Sequence, residues 1–127
     1  MKTTLLLCLA TTLTVLAQGN TEWFGFAPYP GARKLCDQTV MSQHSTVEME
    51  IHWRSYATTD AKAKVVAFYE KTMVKDVDKN SDSVTFRLDK DTTMSVHAAT
   101  AAAYPKCDTK PKSSENTVIV VSHATRR

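Results

Sequence analysis

Glycine is scarce: three residues in 127, at positions 19, 25 and 31. Past Gly31 there is none, so the chain holds neither a phosphate-cradling glycine loop nor a G-x-S-x-G nucleophile turn. A dominant charge is missing too. Sixteen basic and thirteen acidic side chains leave +3, without the concentrated basic face of a nucleic-acid binder. Four prolines are too few for a low-complexity or collagen-like chain. No apolar run reaches the roughly 20 residues of a spanning helix. What is present, 43% hydrophobic and 23% charged residues, is the composition of one ordinary globular domain.

The N-terminus has the three parts of a secretory signal. Lys2 gives one positive charge, an apolar stretch follows from Leu5 to Leu16, and Ala17 is small. The expected signal peptide is therefore 1–17, with cleavage before Gln18, and the address is secreted or periplasmic. Cys8 leaves with the signal, so Cys36 and Cys107 remain. An even pair in an exported chain reads as a disulfide. Free thiols or half a metal site are the competing readings, but neither cysteine has a second Cys or a His nearby at ligand spacing.

Residues 18–32 read as an extended aromatic and proline-containing arm, because Pro28 and Pro30 exclude a regular helix or inner strand. The domain proper is then 33–127. A weakly patterned strand is expected from Arg33 to Met41. Between Thr46 and Tyr56, Val47, Met49, Ile51 and Trp53 alternate with Glu48, Glu50, His52 and Arg54, a half-buried strand. The period then changes. Val65, Val66, Phe68, Tyr69 and Met73 fall on one side of a helix opposite Lys64, Glu70 and Lys71, with Thr59 or Asp60 placed to cap it and Phe68 expected as a core anchor. Asp76–Asp82 is rich in turn formers. Ser83–Asp89 and Thr92–Ala98 read as a hairpin. The last strand, Thr117–Ala124, is apolar on both faces at Val118–Val121, which suits a central position. The expected fold is α+β: two layers, an antiparallel sheet of about five strands and one main helix, in the order strand, strand, helix, strand, strand, strand.

Tyr29-Pro30-Gly31-Ala32, Thr58-Thr59-Asp60 and Val65-Val66-Ala67-Phe68-Tyr69 stand together in this chain. In these it resembles small exported bacterial proteins of uncharacterised function that share YPGA and T-x-D…VVxFY segments. The resemblance implies a bacterial origin and an extracytoplasmic address, and carries over no catalytic residue.

No catalytic constellation emerges from the residues. Bridged cysteines are not nucleophiles. Glu48 and Glu50 share a strand face, as solvated strands often arrange, and nothing in the sequence raises a pKa as acid–base work requires. His52, His97 and His123 would form a zinc or copper site only if their strands were neighbours, and no H-x-H or H-E-x-x-H spacing joins them. The expectation is accordingly no catalytic residue, no metal and no cofactor. Two surfaces stay open for binding. One is a polar sheet face carrying His52, Arg54, Arg87 and His97, provided strand order brings the two pairs together. The other is the arm, through Trp23, Phe24 and Tyr29, whose aromatics suit a partner surface or a cover for the core.

The function read from the sequence is a non-enzymatic exported domain that binds a protein or envelope component, with no nucleic-acid partner. The alternatives are a small hydrolase or metal-dependent enzyme using Glu48, Glu50, His52 and His97, and a protease-inhibitor-like domain.

Overall fold

A computed structural model describes residues 23–44, 47–72, 77–80, 82–100 and 107–127. The expected signal peptide and its cleavage site lie outside the described residues, as do Met73 and the start of the arm. Six strands and one helix follow in chain order: β1 (Arg33–His44), β2 (Val47–Thr58), α1 (Lys62–Thr72), β3 (Val77–Lys79), β4 (Ser83–Arg87), β5 (Thr92–Ala98) and β6 (Thr117–Arg126). They build one antiparallel sheet in the order β1-β2-β6-β5-β4-β3. The α+β class with a single helix agrees with the sequence. The strand count is six rather than five, because β3 forms within the stretch read as a turn. Three residues are too few to show a period of two. Val77 and Lys79 pair with Phe86 and Val84, and Asn80 Oδ1 then accepts the Asp82 and Ser83 N–H groups to turn the chain into β4.

Cross-strand partners share a face, so the register sorts the sheet into two sides. Tyr56, Ile119, Val96 and Val84 lie in line across β2, β6, β5 and β4. They pack with Phe26, Val65 and Tyr69 in one core cluster under α1; we call this side the front. Leu35, Trp53, Ala57, Val118 and Val120 form a second cluster on the back, against Cys36, Ala99 and Cys107. Val118–Val121 is buried on both sides, and β6 is an inner strand, as its sequence requires.

The helix is anchored by Val65 and Tyr69, one turn apart and both fully buried. The Tyr69 hydroxyl donates to the Ala27 carbonyl. Phe68, expected as an anchor, is half-buried at the edge of the cluster. Neither candidate cap accepts a helix N–H through its side chain in the first turn; the Ala61 carbonyl accepts from Val65, while the Asp60 carboxylate accepts from the Tyr29 hydroxyl at 2.6 Å.

Cys36 and Cys107 form a disulfide, with Cα atoms 5.8 Å apart across a separation of 71 residues. The Ser55 hydroxyl lies within 3.3 Å of one sulfur and 2.9 Å of the other. The loop entering β6 is held by Glu115. Its buried carboxylate accepts from the Lys112 backbone N–H and pairs with the Arg33 guanidinium.

A candidate binding surface under the Trp23–Phe24 turn

Beyond the helix, the front of the sheet continues from Tyr56 along β2 to Arg54, His52 and Glu50. Period-two alternation puts these residues on the helix-bearing side. The sequence reading treated their face as the wet one and that of Ile51 and Trp53 as buried. Trp53 is indeed buried, but on the back; Arg54, His52 and Glu50 are half-buried on the front. Alternation separates two faces without saying which one the helix covers.

The arm closes over this surface. Within the span expected to be extended, residues 23–26 form a tight turn. The Trp23 and Phe26 backbones exchange hydrogen bonds of 3.1 and 3.0 Å. Phe24 and Gly25 occupy the corner with φ of 51° and 77°, the pairing of positive values that a type I′ turn demands. Gly25 takes this backbone without penalty. For Phe24 it costs about 1–2 kcal/mol. Phe26 and Tyr29 then enter the core, and Tyr29 stacks edge-on against Phe68.

The Phe24 ring lies parallel to the His123 imidazole, with centroids 3.7 Å apart and planes inclined by 6°. It sits 6.3 Å from the His52 ring, yet stays 44% exposed. Trp23 receives the Arg54 guanidinium 4.6 Å from its ring centre, a cation–π contact. Asp37 on β1 holds Arg54 in place with a 2.6 Å hydrogen bond.

His52 and His123 are direct cross-strand partners. His52 Nδ1 is 2.8 Å from the Thr39 hydroxyl, and Nε2 is 3.0 Å from Glu50 Oε1. A carboxylate only accepts, so in neutral His52 the proton sits on Nε2 and Nδ1 accepts from Thr39. His123 is the reverse. Its Nδ1 contacts Thr92 Oγ1 at 2.7 Å, and the Thr92 hydroxyl donates to Asp89 Oδ2. The Thr92 oxygen must therefore accept from His123 Nδ1–H, which leaves Nε2 as an acceptor. Asp89 is held below the usual carboxylate range, first by the Asp91 backbone N–H and also by Thr92 and His123.

The other expected site residues lie elsewhere. Arg87 and His97 share the face of Val118 and Ser83, the back of the sheet, so the two basic pairs occupy opposite sides. His97 is buried with Nε2 2.8 Å from the Ser95 hydroxyl. Burial, helped by Lys62, pushes its pKa down. The structure thus brings together two of the three histidines considered. Among the described residues no group of three or more His, Cys, Asp or Glu is placed to hold a metal ion, and no helix is long and apolar enough to cross a membrane. A cavity of about 400 Å³ on the back is lined by Leu35, Ala99, Cys107, Pro111 and Glu115 among others.

The sequence groups His52 and His123 only as members of a conditional metal trio with His97, and gives no reason to join Phe24 to either of them. The available signal was Gly25 directly after Phe24, which marks a turn folding the two aromatics back. No family model matches the chain, and no curated protein or solved structure matches it.

Proposed function

We propose that this chain is an exported, non-enzymatic binding domain of bacterial origin. Its binding surface is the front of β2 and β6 under the Trp23–Phe24 turn, and its partner is a protein or envelope macromolecule. The observation that carries this reading is Phe24, a large apolar side chain left 44% exposed on a backbone that glycine would occupy more easily. Strain of this kind is associated with ligand clamps and other functional positions. Beside the ring stands His123 Nε2, an acceptor, and over the adjoining Trp23 ring lies Arg54, a cation already oriented by Asp37. An aromatic anchor ringed by oriented polar groups is the anatomy of a protein-binding hot spot.

A photo-crosslinking amino acid at position 24, with the same probe at Val77 as control, tests the proposal in an envelope extract. A discrete adduct specific to position 24 supports it, as does a loss of at least tenfold in affinity for the recovered partner in Phe24→Gly. Equal labelling from both positions overturns it.

One observation favours a second reading, a small hydrolase: the Glu50–His52 contact resembles the carboxylate–imidazole pair that orients a general base. Against it, both ring nitrogens of His52 are engaged, so the imidazole must break a contact to meet a substrate. Ester or phosphodiester turnover that disappears in His52→Ala would make this the better reading.

A further inference from the structure

An edge strand is a template for another strand unless something blunts it, and short length, charged residues, proline and bulges are the usual devices. The two edges of this sheet differ. β3 has three residues, of which Asp78 and Lys79 are charged. β1 has twelve, and its protection is confined to its start: Arg33, Lys34 and Asp37 carry charge, and the register slips only between Lys34 and Cys36. From Gln38 through Ser42 there is no charged residue and no proline. The ladder with β2 is unbroken there, and among the described residues no strand pairs with the outer side of β1. Val40 and Met41 are 43% and 55% exposed, one on each face of the sheet.

We propose that residues 38–42 of β1 pair antiparallel with the same residues of a second copy, joining two sheets into one across a two-fold axis. Antiparallel continuation about an axis normal to the sheet keeps front with front. Each residue therefore meets one of equal parity, and the pairing centred on Val40 sets Thr39 opposite the second copy's Met41 and Gln38 opposite its Ser42. No charge meets a like charge over this span, and the contact is self-complementary, as a closed dimer requires. A foreign strand would need the same uncharged pattern; a second copy brings it. Both Trp23–Phe24 turns then face the same side of the joined sheet, which converts one binding surface into a bivalent one.

Sedimentation equilibrium on the purified protein tests this over a range of concentrations, with Val40→Lys and Met41→Lys beside Val77→Lys as the control on the opposite edge. The expected result is a reversible dimer for the wild type and the control, and monomers for the β1 variants. Hydrogen exchange supplies a measurement without mutation: amides within residues 38–42 should slow as protein concentration rises. A wild type that stays monomeric at every concentration overturns the proposal. A dimer that persists in both β1 variants overturns it too, as do exchange rates at 38–42 that ignore concentration.

Discussion

His52 and His123 face each other across the β2–β6 ladder and carry their protons on opposite nitrogens. The carboxylate of Glu50 lies against His52 Nε2, whereas the Thr92 oxygen, its own proton committed to Asp89, lies against His123 Nδ1. At the wet edge of this pair, His123 is left with an accepting Nε2 beside the exposed face of Phe24. The tautomers follow from neighbours on three strands and the β4–β5 connection, so they are a property of the fold.

Long-range proton–nitrogen NMR at a pH where both rings are neutral reads these tautomers directly. Nε2–H is expected for His52 and Nδ1–H for His123. Thr92→Val removes the acceptor and should shift His123 toward the Nε2–H form while leaving His52 unchanged.

Phe24 should contribute little to stability. Its positive φ costs about 1–2 kcal/mol, and an aromatic contact such as that with His123 returns about 0.5–1.5 kcal/mol. Phe24→Gly is therefore expected to melt within about 1 kcal/mol of the wild type. Phe24→Val should be clearly less stable, since a β-branched residue tolerates this backbone worse than Phe. Thermal denaturation of the two variants checks the order.

Tyr29 and Asp60 shift each other in opposite directions through their 2.6 Å hydrogen bond. The carboxylate bond, with burial and Coulomb repulsion behind it, pushes the Tyr29 phenol up to about 12; the Asp60 carboxyl moves down, chiefly through the same bond. A raised phenol favours the folded state below its unfolded value near 10, and that contribution is lost as pH rises toward 12. Ultraviolet titration should show one tyrosine ionising near 12, returning toward 10 in Asp60→Asn.

The Cys36–Cys107 bond closes 71 residues, and in the chain-entropy model such a loop is worth about 4 kcal/mol. Replacing both cysteines with Ser should lower the denaturant midpoint accordingly. Because the bond also closes the back cluster of Trp53 and Val118, Trp53 fluorescence is expected to shift to longer wavelength in the variant before global unfolding.

Much of the fold is legible in the sequence because β2, β4 and β5 carry period two, β6 is a continuous apolar run and α1 carries the helical period. Thr92–Ala98 is read to its ends. What the sequence leaves open is relational. Trp53 and Tyr56 are both large and both buried, yet they serve different cores, and only the strand order reveals which side α1 covers. Phe68 and Tyr69 are neighbours on a helix, and their relative depth is decided by Tyr29 and Ala27, more than 35 residues earlier. The candidate surface depends on the same kind of fact: His123 lies 71 residues beyond His52, and β6 must come to lie against β2 before the two can meet.

Glu115 gives the most direct test of how the loop entering β6 is held. Its carboxylate accepts from the Lys112 N–H and pairs with Arg33, and the Arg33 hydrogen bond is the main reason its pKa lies below the ordinary 4.5. A depressed carboxylate favours the folded state above its unfolded value, and this contribution disappears as pH falls through the folded one. At pH 7 Glu115→Gln should therefore melt below the wild type, since the amide keeps an acceptor for Lys112 but loses the charge facing Arg33. The gap should narrow on acidification below about pH 4.5, where the wild-type carboxyl begins to take up its proton in the unfolded chain. Melting curves of both proteins from neutral to acidic pH measure this convergence. A gap that stays constant across the range would mean that the shape of the side chain holds the loop, and that the ion pair with Arg33 adds nothing.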